Sequence, residues 1–463
     1  MSGKLLTQKI SNCSKCSYSR NISSVNGAKF ADIVISGGGM VGTAMACALG
    51  KLESFNDRKV ILLETSKEAE KHDWSQKPYE NRVSAITPGS SSFLRDIGVW
   101  DRVTRKRCNP FNSMQVWEGC GNGSISFDSS DIGSPYISHI VENNAIIESC
   151  GEQAKECKSV EMMYQTRLTN YAAPDSSASE KLVTLEASNG EKIATKLLVA
   201  ADGFNSFIRT NSGIKTIDYD YGQSAVVATI KVKTLPNKTA WQRYLTNGPV
   251  ALLPLSDEWS SLVWSTSKDK AKELMQLSDS EFIENLNEAF TKPNNSLIPV
   301  NALSDFMKNV MSTIQPGKYA SNVSHKVPMP IDILPQSRGM FPLGMKHSTY
   351  YVKSRIALIG DSAHRIHPMA GQGVNLGFGD VKSLVENIDN SCRLGRDFGA
   401  LENLLPYETE RQRHVLSIIG AINGLNMLFS TDAFPVVFAR TLGLTMTDSV
   451  SNIKEQIIRH AMR

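Results

Sequence analysis

A chain of 463 residues, 41% apolar and 21% charged, has the composition of an ordinary folded protein, with room for one large domain or two interwoven ones. The net charge is +4, and Lys4, Lys9, Lys15, Arg20 and Lys29, all ahead of the first acid Asp32, carry more than all of it. The remainder is close to neutral, which argues against nucleic acid as a partner.

The first thirty residues are basic, serine-rich and free of acid, and they lack the apolar centre of a secretory signal. That pattern predicts a mitochondrial targeting peptide over residues 1–30, against the plainer reading of a disordered tail. Cys13 and Cys16 form a CxxC with no second pair to complete a zinc site, so no metal is expected. Cys47, Cys108, Cys120, Cys150, Cys157 and Cys392 are scattered, as reduced thiols are.

The first chemistry follows at once. "ADIVISGGGMVGTAMACALGKL" reads as a buried strand, the turn Gly37-x-Gly39-x-x-Gly42 with Gly38 inside it, and a helix of small residues. Such a turn lets a pyrophosphate reach the backbone and the positive end of the helix. A second strand, "KVILLE", ends in Glu64, where an acid accepts hydrogen bonds from an adenosine ribose. A glycine-rich turn alone is weak evidence; strand, helix and acid in register predict a dinucleotide site.

Further along, "MQVWEG" and "SISFD" read as paired strands. "TKLLVAADGFNSFIR" places Asp202 and Gly203 directly after a third buried strand, with Ser206 and Arg209 beyond. "SAVVATIKVK", "WQRYL" and "SLVWSTS" read as strands of a second sheet, residues 282–290 as a helix and 293–329 as loops. "RIALIGDSAHRIHPMAGQG" supplies another strand, Gly360 and Asp361 at its end, then His364, His367, Pro368 and Gly371, Gln372 and Gly373, with a helix beginning near Asn375. The uncharged run from His414 to Thr431 is interrupted by Gly420, Asn423, Gly424 and Asn426, which suits a packed helix better than a membrane span. Residues 396–463 read as helices.

Short, continuously apolar strands suit a parallel sheet covered on both faces, with ligands beyond the carboxyl ends. Glu64 and Asp361 should then face one crevice. A nicotinamide dehydrogenase has no need of an acid about three hundred residues downstream; a flavin with its ribityl chain does.

These three motifs resemble those of the class A flavoprotein monooxygenases, related to para-hydroxybenzoate hydroxylase. "NRVSAITPGSSSFLRDIGVWDRV", "AWQRYLTNGPVALLPLSDEWSSLVWS" and "GDSAHRIHPMAGQGVNLGFGDV" resemble the ubiquinone-biosynthesis hydroxylases, and with the leader the mitochondrial branch. The resemblance implies an α/β fold in which an FAD-binding Rossmann-like parallel-sheet domain interleaves with a mostly antiparallel β substrate domain and C-terminal helices. The expected flavin domain comprises 31–112, 140–213 and 330–395; the substrate domain 113–139 and 214–329; the helical region 396–463. Gly37, Gly38, Gly39 and Gly42 would hold the FAD diphosphate, Glu64 the ribose and Asp361 after Gly360 the ribityl hydroxyls. Asp202 and Gly203 would lie near the flavin, and Pro368, Gly371, Gln372, Gly373 and Asn375 against its ring. Ser362 stands where alanine is usual, and Gly379 where many relatives carry arginine, a departure that bears on local packing.

Several residues keep two readings. Arg82 is a flavin-phosphate contact or a surface ion pair. Asp202 is functional or caps its turn, and His364 orders the loop behind Asp361. Arg243 and Tyr244 are substrate contacts or sheet packing, and no catalytic base is identified.

The resemblance further implies hydroxylation, at C5, of the ring of a polyprenylated 4-hydroxybenzoate-type intermediate by O2 through a flavin C4a-hydroperoxide. It implies electrons from ferredoxin and its reductase or from NAD(P)H, and association with other ubiquinone-biosynthesis proteins in a membrane-bound complex. The location implied is the matrix side of the mitochondrial inner membrane. A geranylgeranyl-reductase-like flavoenzyme and a non-catalytic prenyl-lipid carrier of the same fold are the rival readings. A flavin halogenase is disfavoured by the spacing of Trp259 and Trp264.

Overall fold

The structure is a computed structural model that describes residues 24–25, 27–68, 73–174, 182–233, 236–292, 327–368 and 371–461. The CxxC, nearly all of the expected targeting peptide and most of the expected 293–329 loops lie outside the described residues.

Three sheets organise the described residues. The first runs in the order Leu168–Ala172, Val183–Ala187, Lys192–Ala200, Ala28–Ser36, Val60–Leu63, Val160–Met163, with Ile356–Leu358 also parallel to Lys192–Ala200. Its centre is parallel and continuously apolar because the helices Met40–Gly50, Asn143–Glu156 and Gly373–Arg393 pack around it. Ile33, Ile35, Leu62 and Val199 are fully buried there. Register decides function: Ser36 pairs with Leu63 and Ala200, and Ala200 with Leu358, so four strands end side by side.

The second sheet is mostly antiparallel, in the order His364–Arg365, Gly339–Ser348, Thr216–Val232, Trp259–Ser267, Gly248–Pro254, Thr239–Leu245, Ser113–Glu118, Ser124–Asp128. Val226, Val250, Leu262 and Trp264 project from one face into a core closed by the helices Lys268–Gln276 and Asp279–Thr291. Ser278 begins the second helix with a reciprocal capping box to Glu281. A small antiparallel sheet, Val83–Ile86, Ser138–Glu142 and Cys108–Phe111, fills the space between the two large ones.

The expected domain boundaries differ from this pairing within the expected 330–395 flavin segment. Pro330–Ile333 and Gly339–Ser348 hydrogen-bond to Thr216–Val232 in the second sheet rather than joining the first. His364–Arg365 also joins the second sheet. Met345 and Lys346 sit in register with Tyr219 and Asp218, a pairing more than a hundred residues apart that local pattern cannot disclose.

The helices Leu401–Phe429, Phe434–Ser449 and Ser451–Ala461 close the fold. A buried pair anchors them: Arg440 binds Glu118 and also donates to the carbonyls of Leu428 and Thr431 at 2.8 and 2.7 Å. No described helix is long and apolar enough to cross a membrane.

Candidate cofactor site

The aligned strand ends form one wall of a cleft of about 660 Å³, lined by Gly37, Gly38, Gly39, Glu64, Asp202 and Gly203 among others. Each glycine of the first turn has its own reason. Gly37 has φ +108°, and a Cβ there would lie 2.3 Å from the Ala201 carbonyl oxygen. A Cβ on Gly42 would lie 1.9 Å from the Gly37 oxygen, so only glycine lets the helix start this close to its strand. Gly39 is the opposite case: a Cβ there meets nothing within 4 Å. The turn is open where a phosphate would enter, and the first amides of the Met40–Gly50 helix follow.

Glu64 reaches back across that turn, accepting from the Gly38 amide at 2.6 Å and from the Ser66 amide at 2.6 Å. Arg82 is exposed and makes no ion pair among the described residues, so the surface-pair reading has no support in its surroundings.

The Asp202 turn and the Asp361 turn are joined. Ser362 accepts from the Gly203 amide at 2.9 Å and donates to Asp202 Oδ1 at 2.9 Å. Arg209 donates to the carbonyls of Ser362 and Phe204 at 2.9 and 2.6 Å. Asp202 also accepts from the Ile208 amide at 3.2 Å, so it does cap its turn. Asp361 is open to solvent, yet protein crowds round it. Burial raises its pKa, while His364 and Arg365 pull it down. The carboxylate sits in a recess: few waters surround it, but a ligand can reach it.

Behind that turn lies a cluster that the sequence reading only half found. His364 Nε2 lies 2.6 Å from Asp380 Oδ2, and the same oxygen accepts from the Gly360 amide at 2.9 Å. Arg411, from the Leu401–Phe429 helix, donates from Nε to Asp380 Oδ1 at 2.8 Å. Burial pushes the Asp380 pKa up, but His364 and Arg411 outweigh it and hold the carboxyl below its ordinary range. A Cβ on Gly379 would lie 2.7 Å from Arg411 Nη2, so a guanidinium from another helix fills the space beside that glycine. An acid within the buried stripe of its helix was the available signal for Asp380; nothing local marks Arg411 as its partner.

The loop before the Gly373–Arg393 helix is open. Gly371 has φ +60° and donates to the Pro368 carbonyl at 2.9 Å, while a Cβ on Gly373 meets nothing within 4 Å. Gln372 is the helix N-cap residue. Asn375 has its side chain engaged elsewhere, donating to the Ala85 carbonyl at 2.8 Å and accepting from the Thr87 amide at 3.2 Å. It ties the loop to the small sheet. His367, with no role assigned from sequence, is fully buried and bonded to Gln223 at 3.1 Å.

Arg243 and Tyr244 stand in sequence between substrate contact and sheet packing, and the structure shows what each touches. Strand alternation turns Arg243, with Val250 and Trp264 opposite, onto the face covered by helices, where it donates to the Ala289 carbonyl at 3.0 Å. Tyr244 faces the other way and stacks on Phe429 at 4.2 Å. Both serve packing. Among the described residues no cluster of potential metal ligands occurs.

Comparison with known proteins then decides the family. Residues 31–313 and 325–420 match the family described as FAD binding domain. The chain belongs to that family. The mitochondrial ubiquinone biosynthesis monooxygenase COQ6 of Danio rerio is 43% identical over 438 residues, covering 93% of this chain and 90% of that protein. Its Homo sapiens counterpart is 40% identical over 437 residues, covering 93% and 92%. The solved p-nitrophenol 4-monooxygenase PnpA of Pseudomonas putida shares the fold, with a TM-score of 0.67 at 17% identity over 93% of this chain and 97% of that one. Pseudomonas aeruginosa PqsL, a probable FAD-dependent monooxygenase, gives 0.68 at 19%, over 90% and 100%. The protein is therefore a flavoenzyme, an FAD-dependent aromatic monooxygenase of the para-hydroxybenzoate hydroxylase fold.

Proposed function

We propose that this flavoenzyme hydroxylates the aromatic ring, at C5, of a polyprenylated 4-hydroxybenzoate-type intermediate in ubiquinone biosynthesis, using O2. The observation that carries the reading is the gathering of Glu64, Asp202 and Asp361 turns beyond aligned strand ends, in a chain 40% identical to COQ6 across nearly its whole length.

The residues present fit FAD. The open turn at Gly39 and the following helix amides would take the diphosphate, with Arg82, which has no ion pair among the described residues, as a cation for it. Glu64 would turn from the Gly38 amide to a ribose, and Asp361 would accept from ribityl hydroxyls. Gly371, Gln372 and Gly373 offer backbone to a flat ring at the positive end of the Gly373–Arg393 helix. When bound, the flavin supplies the two electrons and the oxygen activation that no side chain can.

The chain's own work is placement and dryness. The second sheet turns Ala225, Val227, Ala251 and Val263 away from its helix-covered face, toward the side where Gln223 meets the His367 loop. These small apolar side chains suit an aromatic ring lying flat, and exclusion of water keeps activated oxygen from being wasted. Ala225, Val227, Ala251 and Val263 offer no proton acceptor, and activation of the phenol would need only a nearby hydrogen-bond acceptor or positive charge.

The relatives are named mitochondrial, which supports that location. A peripheral place on the matrix side of the inner membrane, other ubiquinone-biosynthesis proteins as partners, and reduction by ferredoxin and its reductase or by NAD(P)H complete the proposal on the resemblance alone. The test is genetic and chemical: removal of the protein should leave cells accumulating a prenylated precursor lacking one ring oxygen, restored by the wild-type chain. Normal ubiquinone levels would refute it. Rapid reduction of the purified flavoprotein by NADPH alone would refute ferredoxin as the donor.

A further inference from the structure

His367 has no place in the site as described so far, yet it stands where the two large sheets meet. Its imidazole is fully buried and bonds through Nε2 to Gln223 Oε1 at 3.1 Å. The orientation of Gln223 is settled independently, because its Nε2 donates to the Asn247 carbonyl at 2.9 Å. Oε1 is therefore the atom facing the ring, and His367 must present Nε2–H to it. Burial lowers the His367 pKa to about 4, so above that pH the ring is neutral.

The surroundings hold the ring in place without charging it. Tyr221, two residues before Gln223 on the same strand, meets the imidazole edge-on at 4.8 Å and 86°. Its hydroxyl donates to Asn423 Oδ1 on the Leu401–Phe429 helix at 2.6 Å, and burial pushes its own pKa up to about 12. Between Asp220 and Ser224 the register with Gly339–Ser348 shifts by a bulge, with Gly222 at φ +66°. That bulge brings Tyr221 and Gln223 to the loop.

We propose that His367 is a positioning residue of the monooxygenase site, whose Nε2–H bond to Gln223 sets the separation between the loop that receives the flavin ring and the open face of the second sheet. The inference rests on the ring lying against Pro368 and Gly371–Gly373, as read above. Imidazole and Pro368 belong to consecutive residues, so movement of one carries the other. The bond ties that loop to the strand Thr216–Val232, so on this reading it would set how closely flavin ring and substrate ring face each other, a separation on which oxygen transfer depends steeply.

A double-mutant cycle tests this on the FAD-loaded protein. Gln223→Leu and His367→Phe each replace one hydrogen-bonding partner with an apolar side chain, the second somewhat larger than the residue it replaces. The expected result is an FAD dissociation constant raised about tenfold by each, with no further loss in the double variant. The visible flavin absorption band should change shape in all three, a signature that a loss of general stability does not produce. Unchanged affinity and spectrum in Gln223→Leu would overturn the inference, as would losses that multiply to about a hundredfold in the double variant. Gln223 is only half-buried, so Gln223→Leu carries the test even if His367→Phe does not fold. Asp361→Ala separates the two readings. If it releases FAD while the His367 and Gln223 variants keep it unaltered, only the positioning role falls; if the wild-type protein takes up no FAD, the site reading falls with it.

Discussion

Ser362 donates its hydroxyl hydrogen to Asp202, 2.9 Å away, although 160 residues separate them in sequence. The same oxygen accepts from the Gly203 amide, so one small side chain clamps two turns at the carboxyl edge of the sheet. Ser362→Ala should fold, since an alanine fits where the hydroxyl is simply removed, but the turns lose their tie. A buried hydrogen bond contributes about 1 kcal/mol, so FAD should bind roughly threefold to tenfold more weakly in an equilibrium titration.

Asp361 should matter more. Asp361→Asn keeps the shape and loses the charge, and hydrogen bonds to charged groups are worth about 1.5–3 kcal/mol, so flavin affinity should fall by at least about tenfold. Burial raises the Asp361 pKa. In the wild-type protein FAD should accordingly loosen on acidification at a pH above the ordinary carboxylate range, and the Asn variant should lack that step. Fluorescence of released flavin against pH reads both.

Gly39 and Gly42 should behave in opposite ways. Gly39→Ala places its methyl in open space, on a backbone with φ −69° that alanine accepts, so the protein should fold with its stability unchanged and fail to retain FAD. Gly42→Ala meets the Gly37 carbonyl oxygen at 1.9 Å and should lower the thermal midpoint whether or not flavin is present. Circular dichroism melts with and without FAD distinguish the two.

Arg411→Met leaves Asp380 buried with one cation fewer. Breaking such a pair from one side costs about 3–5 kcal/mol, and denaturant titration should show it. Replacing both, Asp380→Leu with Arg411→Met, should recover part of that loss, while the Gly360 amide loses its acceptor and flavin affinity stays low.

Acid should weaken the fold before it reaches the carboxylates. Burial lowers the pKa values of His139, His347 and His367 from 6.5 to about 4, helped at His139 by Arg95 and at His347 by His364. Below 6.5 the unfolded chain takes up protons that the folded one refuses until about 4, so this stability is complete above 6.5 and is lost between 6.5 and 4. Thermal midpoints measured from about pH 7.5 to about pH 4.5 should fall steadily, and His347→Gln should flatten the slope.

Local pattern carried a large part of the candidate site. Gly37, Gly39, Gly42 and Glu64 were readable because one strand, one tight turn and one helix contain their whole geometry, and that geometry forbids a Cβ at Gly37 and Gly42. Asp202 and Asp361 were readable for a related reason: each ends a short apolar strand, and parallel strands in one sheet end together. Such features depend on neighbours in the chain, so composition and spacing record them.

Contacts between distant segments left no such record. That Ser362 reaches Asp202, that Arg411 stands beside Gly379, that Gly339–Ser348 joins the second sheet, and that Arg243 turns toward Ala289 all follow from how sheets and helices pack. A strand's alternation says that Arg243 and Tyr244 face opposite ways, but not which way is the covered one. Backbone conformation is a short-range property and was written into the chain at each turn; the choice of partner for a buried charge is made by three-dimensional proximity, which only the folded molecule supplies.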